Sequence, residues 1–365
     1  MIRNLIEFSA DPLIENHVIY TINTEDIKHF KIDGLKGVFS EQVFNFSPRD
    51  NFYHTCTRLS KLIRLKSDVL VVHDWLELGM ISHLGLQNPV VQFLHGDYPY
   101  YYDLAKKHEA SIDKFIGVAQ EIRSNLFQII PHRKNDIEYL RFPVATAFKR
   151  KKRTGGCNIV FVGRLTDDKG FPLLPTIASA LDKEGIKAEW HIIGEDPEGI
   201  AGRSPFNKNI TVNYYGSIGN DKVRQLLPLM DFFILPSKAE GMPVSLVEAM
   251  KAGLIPLVND LPGGIRELVT DGETGFRIAP VNTLGYSERL ISLINNPEDT
   301  EQMREQCIKK ASGLFDPVSN TKLVEEFIVS AKDRKTQKHP FKVYGSRLDR
   351  KWFPNFLVKT IRKIR

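Results

Sequence analysis

Short apolar runs alternate with helical patterns along most of this 365-residue chain, and this alternation constrains the fold more than any other feature. Such a rhythm is typical of a parallel sheet covered by helices. After Cys157 the apolar runs predict six strands, at 158–162, 189–193, 211–215, 231–235, 255–258 and 275–279. The segments between them predict helices at 170–183, 221–230, 245–252 and 263–269, and the pattern from 283 to 333 is helical throughout.

The same rhythm is present before residue 145. It predicts strands at 17–22, 68–72, 89–94 and 114–119, and helices at 50–66, 101–110 and 120–130. A polar, basic run at 146–156 that ends in two glycines separates the two halves. The sequence therefore predicts two α/β domains, at 1–145 and 155–334, and a tail at 335–365 that could pack on the first domain.

The positive charge of the chain is concentrated in its tail. The chain has 50 Lys and Arg against 44 Asp and Glu, a net charge of +6. Residues 332–365 hold twelve of the basic residues and two acids, so this segment carries +10 and the remainder −4. A nucleic-acid-binding protein is usually basic over its folded body, so we expect no nucleic-acid partner.

The cysteines and the hydropathy pattern bear on where the protein works. Cys56, Cys157 and Cys307 are far apart and include no CxxC pair, which predicts reduced thiols. The first residues lack the apolar core of a signal peptide, and the uncharged stretch 78–96 has too many polar residues to span a membrane. We therefore expect a cytoplasmic protein, either free or peripheral on the inner face of the cell membrane.

Several motifs that bind cofactors or metals are absent from the sequence. There is no GxGxxG after a strand, no GxxxxGK[ST], no HExxH and no Asp-x-Asp pair. These absences argue against a dinucleotide-dependent dehydrogenase, a P-loop NTPase and a metal-dependent enzyme. We expect no metal site and no cofactor.

A first candidate binding motif, GRLTDDKG at 163–170, directly follows the strand at 158–162. Gly163 allows a ligand to approach the backbone, and Arg164 and Lys169 could hold a diphosphate together with the N-terminus of a helix that begins near Lys169. In the alternative interpretation, Thr166 and the two aspartates cap that helix, and both cations are ordinary surface residues.

A second candidate motif, PSKAEGMPVSLVEAMKAG at 236–253, follows the strand at 231–235. Pro243 fits the first turn of a helix, which places Glu240 on the preceding loop and Glu248 in the first turns. Both carboxylates could bind sugar or ribose hydroxyls there. Ser245 and Glu248 also have the spacing of a capping box, which would explain Glu248 without a ligand.

Five segments in this order and spacing resemble the donor-binding domain of retaining glycosyltransferases of family 4, which have the GT-B fold. The segments are GRLTDDKG, IIGED at 192–196, Gly216-Ser217, the stretch 235–258 and the stretch 260–278. The resemblance implies two Rossmann-like domains that face each other across a cleft. The C-terminal domain would bind a nucleoside-diphosphate sugar such as a UDP-sugar, and the N-terminal domain the acceptor.

The resemblance also assigns roles to residues of this sequence. Arg164 and Lys169 would hold the diphosphate, Glu248 the ribose and Glu240 the transferred sugar. Backbone groups would complete the donor site at Gly163, Gly194, Gly216, Gly241, Met242 and Val244.

In the first half, His95 follows the strand at 89–94 and resembles the histidine of this family that contacts the donor sugar near the reacting carbon. A lone histidine after a strand is otherwise often structural. The tyrosines at 98 and 100–102 could stack on an acceptor sugar or simply pack against the domain. Only sixteen residues precede the strand at 17–22, so the first strand and glycine-rich loop of the family are expected to be missing.

The end of the tail, KWFPNFLVKTIRKIR at 351–365, has apolar residues at helical spacing with basic residues between them. Such a helix can lie on an anionic membrane surface or dock its apolar face on the N-terminal domain, and periodicity does not distinguish the two.

The sequence thus favours a metal-independent retaining glycosyltransferase that acts on a glycan or lipid-linked acceptor, in bacterial surface polysaccharide or lipopolysaccharide synthesis. A catalytically impaired GT-B subunit that binds a glycan or a partner glycosyltransferase is the alternative.

Overall fold

The computed structural model describes residues 2–25, 34–145, 157–334, 337–342 and 344–364. The chain divides into two compact units, Met1–Phe142 together with Val318–Arg365, and Pro143–Pro317. The predicted domain break at 146–156 lies outside the described residues.

In the part of the first unit that the structure describes, six parallel strands form two sheets. The strands are β1 (His17–Asn23), β2 (Ser40–Phe46), β3 (Leu70–Val72), β4 (Val90–Leu94), β5 (Lys114–Gly117) and β6 (Ile137–Tyr139). β1 and β2 pair with each other, while the other four form a sheet in the order β3-β4-β5-β6. Among the described residues no strand joins the two sheets.

Seven helices of this unit lie in the described residues. They are α1 (Ile2–Glu7), α2 (Phe52–Ser60), α3 (Trp75–Leu84), α4 (Pro99–Lys107), α5 (Gln120–Ile129) and, near the end of the chain, α13 (Pro317–Val329) and α14 (Asn355–Ile364). The four strands predicted here are confirmed, with small shifts at their ends. The helix predicted at 50–66 is shorter than expected, because the chain turns after Ser60.

The second unit is one six-stranded parallel sheet. Its strands are β7 (Cys157–Val162), β8 (Ala188–Ile193), β9 (Thr211–Gly216), β10 (Phe232–Leu235), β11 (Ile255–Asn259) and β12 (Phe276–Ile278). All six strands predicted after Cys157 are confirmed. Across the sheet the strands are ordered β12-β11-β10-β7-β8-β9. The chain begins with β7 in the centre, adds β8 and β9 towards one edge, and then adds β10, β11 and β12 towards the other edge, as in a Rossmann fold.

Helices cover this sheet. They are α6 (Leu174–Lys183), α7 (Ile200–Arg203), α8 (Asn220–Leu226), α9 (Val244–Lys251), α10 (Gly264–Leu268), α11 (Thr283–Asn295) and α12 (Pro297–Leu314). The centre of the sheet is buried between them, since every residue of β10 and β11 is buried. Apolar runs without alternation are what such doubly covered strands require.

The observed division differs from the predicted one at its second boundary. Residues 318–334, predicted to end the donor domain, belong to the first unit. The contacts of Lys114 on β5 explain the difference, because its Nζ donates to Ser330 Oγ at 2.6 Å and lies 4.4 Å from the ring centre of Phe327. Arg334 Nη1 adds a hydrogen bond to the carbonyl oxygen of Asp113 at 3.0 Å.

Candidate active site

The two candidate motifs of the second unit lie at the point where its strand order reverses. Residues 163–170 follow β7 and residues 236–243 follow β10, and these two strands are neighbours at the centre of the sheet. In open α/β sheets the loops after the two strands at such a reversal diverge to opposite faces and leave a crevice for ligands. The topology therefore brings both motifs to one candidate site.

The loops that carry these motifs are bound to each other. The backbone N–H of Lys238 donates to the carbonyl oxygen of Asp168 at 2.8 Å, and the Lys238 side chain pairs with Asp167. Gly170 has φ +71°, and a Cβ atom there would lie 2.0 Å from the carbonyl oxygen of Pro236. Only glycine permits this approach, so the sequence itself fixes the distance between the loops.

Lys169 and Glu240 form an ion pair between the two loops. Lys169 Nζ lies 2.8 Å from Glu240 Oε1, and the side chains are 20% and 10% exposed. An ammonium group has three N–H donors, so donors remain on Lys169 for a phosphate oxygen. The carboxylate can accept hydrogen bonds from hydroxyl groups. The structure thus brings together the predicted diphosphate cation and the predicted sugar-binding acid.

Arg164 is positioned differently from Lys169. Its side chain is 62% exposed, and its Nη2 lies 3.7 Å from Asp168 Oδ2. An exposed pair of this kind contributes little to stability and would yield readily to a phosphate. Arg164 is therefore free to reorient towards a ligand, whereas Lys169 is fixed.

The predicted helix near Lys169 begins later than expected. A short 3-10 turn covers Phe171–Leu173, and α6 starts at Leu174. The predicted helix N-terminus next to Lys169 is therefore wrong, and so is the alternative in which Thr166 or the aspartates cap that helix. The physical reason is the left-handed conformation of Gly170, which breaks the helical path before Phe171.

Three predicted glycines lie side by side at the carboxyl ends of β7, β8 and β9. The N–H of Gly163 donates to the carbonyl oxygen of Ile193 at 3.0 Å, and the N–H of Gly194 donates to that of Gly216 at 2.9 Å. A Cβ atom on Gly194 would lie 1.8 Å from the carbonyl oxygen of Gly163. Only glycine at position 194 therefore lets the ends of β7 and β8 pack this closely.

Helix α9 begins at Val244 with Pro243 in the N-cap position, and no side chain caps it. The predicted capping box is wrong because Ser245 lies inside the helix rather than at its cap. The N-terminal N–H groups of α9 thus receive no side-chain oxygen and are suited to an anionic or sugar oxygen. Gly241 and Met242 are buried just before this terminus, and the Gly241 carbonyl oxygen accepts from the N–H of Gly264 at 3.0 Å.

Glu248 lies on the second turn of α9 and is partly buried. Burial raises the pKa of its carboxyl group. A buried acid without a structural capping role is more consistent with a ligand partner than with a helix cap. Its placement agrees with the predicted contact to a ribose.

His95, the candidate residue of the first unit, has a second histidine beside it. His95 follows β4, and its Nε2 lies 2.8 Å from Nδ1 of His73, which follows the neighbouring strand β3. Burial lowers the pKa of His95 to about 4 and that of His73 to about 3, so both rings are neutral near pH 7. The hydrogen bond to His73 fixes the orientation of the His95 ring.

Sequence reasoning missed His73 and its neighbour Asp74. Both follow a strand in the same way as His95, and that position was the available signal. Asp74 accepts a hydrogen bond from the hydroxyl of Tyr100, one of the tyrosines at the start of α4. Tyr98 and Tyr100 are 37% and 45% exposed, so these side chains are only partly packed against the domain.

Two further observations concern the described residues as a whole. No three of their His, Cys, Asp and Glu side chains gather in a way that could hold a metal ion. None of their helices combines the length and apolar character needed to cross a membrane.

The second unit, which carries this site, matches a known sequence family. Residues 145–312 match the sequence family described as glycosyl transferases group 1, and this part of the chain belongs to that family. The chain has the GT-B fold of family 4-type glycosyltransferases, as the resemblance implied.

Individual relatives agree with this class. Glycogen synthase from Mycobacterium tuberculosis is 26% identical over 218 residues, which are 57% of this chain and 50% of the relative. An uncharacterized glycosyltransferase from Haemophilus influenzae is 24% identical over 82% of this chain and 86% of its own length. The chain spans about half the length of the first of these curated relatives.

Solved structures share the fold at low sequence identity. HepE from Anabaena, crystallised with UDP and glucose, has a TM-score of 0.69 at 15% identity and covers 86% of this chain and 99% of its own. Sucrose-phosphate synthase from Thermosynechococcus elongatus has a TM-score of 0.70 at 13% identity, with 89% and 91% covered.

Proposed function

We propose that this protein is a retaining glycosyltransferase that moves a sugar from a nucleoside diphosphate to a hydroxyl group of a glycan or lipid-linked acceptor. The observation that carries the proposal is the Lys169–Glu240 pair at the reversal point of the second sheet. It sets a cation suited to a diphosphate beside an acid suited to sugar hydroxyls. The uncapped terminus of α9 supplies backbone donors beside it.

The reaction that fits these groups is a front-face displacement. The oxygen of the acceptor hydroxyl bonds to the anomeric carbon on the face from which the diphosphate leaves, and the bond between that carbon and the phosphate oxygen breaks. The hydroxyl proton passes to the departing phosphate oxygen. Lys169 and Arg164 stabilise the negative charge on the departing diphosphate. Glu240 orients the sugar, and the configuration at the anomeric carbon is retained.

The relatives support a choice of donor and pathway. HepE was crystallised with UDP and glucose, and a pneumococcal O-GlcNAc transferase of the same fold with UDP and GlcNAc, so we propose a UDP-sugar as donor. A putative colanic acid biosynthesis glycosyltransferase from Escherichia coli, 27% identical over 47% of this chain, supports a role in surface polysaccharide or lipopolysaccharide synthesis. The three cysteines are free and buried, which suits a reducing, cytoplasmic location.

Thermal unfolding in the presence of nucleotides tests the donor site. UDP at a hundred times its dissociation constant should stabilise the protein by about 2.7 kcal/mol, and GDP or ADP at the same concentration by less. Lys169→Gln should abolish this stabilisation. Lys187→Gln is the matched control, because Lys187 is an exposed lysine of the same unit at the opposite, amino end of β8.

The alternative, a catalytically impaired subunit, is favoured by the break between the two sheets of the first unit. It predicts that a bound nucleotide sugar is neither hydrolysed nor transferred. Stabilisation by UDP without turnover of any UDP-sugar would support it, whereas no stabilisation by any nucleotide would contradict the proposed transferase.

A further inference from the structure

The last helix, α14, is held on the first unit by polar contacts. Lys359 Nζ lies 2.8 Å from Asp50 Oδ1, and Arg362 Nη2 lies 2.6 Å from Asp349 Oδ2. Asn355 exchanges hydrogen bonds with the Asp50–Asn51 segment, and Val358 is fully buried beneath the helix. The sequence left open whether this helix docks on the protein or on a membrane, and one face docks on the protein.

The opposite face of this segment is apolar and exposed. Trp352 is 70% exposed, Phe356 67%, Leu357 41% and Ile364 82%. Because Phe356, Leu357 and Ile364 lie away from Val358 on the helical wheel, docking of α14 leaves them in solvent. We call Trp352, Phe356, Leu357 and Ile364 the α14 apolar face.

Basic side chains surround the α14 apolar face. Arg350, Lys351 and Lys363 are exposed, and the segment 350–364 contains no acidic residue. Lys359 and Arg362 already neutralise the buried acids Asp50 and Asp349, whereas these three cations are left to interact with another partner.

We propose that the α14 apolar face and its three cations bind an anionic lipid bilayer surface. An amphipathic helix with apolar residues on one side and Lys or Arg beside them lies in the headgroup region, and tryptophan favours that depth. The lipid phosphates complement the cations, and the polar contacts on the other side hold the helix parallel to the protein surface.

A second copy of the chain fits this face less well. A helix of ten residues is about 15 Å long, too short to bury by itself the roughly 800 Å² per partner of a standard interface. A twofold contact would also place the same patch opposite itself and bring the three cations together.

Flotation of the full chain with lipid vesicles tests this proposal. The wild type should float with vesicles of phosphatidylcholine and phosphatidylglycerol, and at least tenfold less with phosphatidylcholine alone or in high salt. Phe356→Ser with Ile364→Ser should reduce flotation at least tenfold, and Lys351→Glu with Lys363→Glu should do the same. Leu284→Ser with Leu323→Ser, which alters exposed leucines on α11 and α13, should float like the wild type.

Two results would overturn the proposal. One is equal flotation of the wild type and the Phe356/Ile364 variant. The other is concentration-dependent dimerisation of the wild type that the same variant abolishes, since the face would then be an interface between copies. Lys169→Gln separates this proposal from the proposed function, because it should lose nucleotide binding and still float.

Discussion

Lys169 and Glu240 are a charged pair that costs stability to bury and so calls for an explanation. Taking both charges out of water is repaid only when good geometry and further hydrogen bonds are present. The 2.8 Å contact supplies the geometry, and a diphosphate and a sugar hydroxyl would supply the further bonds. The pair therefore makes more sense as part of a ligand site than as a stabilising contact.

The buried ring of His73 should make the free energy of unfolding depend on pH. Burial holds its pKa at about 3, against 6.5 for an unperturbed histidine. As the pH falls, the unfolded chain binds this proton first, so the contribution of neutral His73 is complete above pH 6.5 and is lost progressively below it. Between pH 6 and pH 4, His73→Asn should lower the slope of unfolding free energy against pH by about 1.4 kcal/mol per pH unit.

Urea unfolding at several pH values measures this slope. The control is His132→Asn, since His132 lies on the surface of the same unit with a 66% exposed side chain. If His73→Asn leaves the slope unchanged, the His73 ring of the wild type is already protonated in the native state.

At the scale of elements, the two loops of the second unit owe their contact to Gly170. Its positive φ and the absence of a Cβ atom allow the turn after β7 to touch Pro236 after β10. The loops carry Lys169 and Glu240, so this contact also sets the spacing of the ion pair. The need for glycine at position 170 is thereby linked to the distance between Lys169 and Glu240.

Gly170→Ala should separate the loops. The clash adds roughly 1–3 kcal/mol of overpacking to the left-handed strain, and UDP binding should weaken along with stability. Gly185→Ala is the matched control, because Gly185 has φ +75° with nothing within 4 Å of its added Cβ. It should cost only the strain, about 1 kcal/mol, with UDP binding unchanged. Equal losses in the two variants would show that the contact with Pro236 is not limiting.

Elements with a clear hydropathy pattern could be predicted from the sequence. Two elements without such a pattern, α3 and β2, were not predicted. The strands of the second unit are continuous apolar runs because helices cover both faces of the sheet. In α3 the sequence WLELGMISHL is apolar on nearly all sides, so it has no stripe that indicates a helix. In β2 only Phe44 and Phe46 are buried, too few to reveal an alternation.

The candidate site was predictable where it depends on strand ends and not where it depends on caps. Lys169, Glu240 and the three glycines follow strands, and topology alone gathers them. The start of α6 depends on the positive φ angle of Gly170, and the start of α9 on the extended ψ angle of Pro243, which local spacing did not reveal. His73 follows a predicted strand as His95 does, but no family motif marks it, so position alone did not single it out.

At the scale of the whole molecule, the end of the chain completes the first unit. Lys338 Nζ lies 2.6 Å from Asp113 Oδ2, with both side chains 3% exposed, and also donates to the carbonyl oxygen of Asn88. Tyr344 packs between Phe52, Trp75 and His108. Part of the positive charge of the +10 segment is thus structural.

Lys338→Met should destabilise the first unit by about 3–5 kcal/mol, because it leaves Asp113 buried without its cation. Lys322→Met, on the exposed side of α13, should have little effect. Calorimetry of both variants measures the difference, and similar unfolding temperatures for the two would contradict a structural role for this end of the chain.

If Lys169 acts on the diphosphate of a sugar donor, its replacement should slow steady-state turnover. With the UDP-sugar that stabilises the wild type most, release of UDP should fall by roughly 10²–10³ in Lys169→Gln and stay unchanged in Lys187→Gln. If Lys169→Gln turns over as fast as the wild type, Lys169 does not act on the diphosphate.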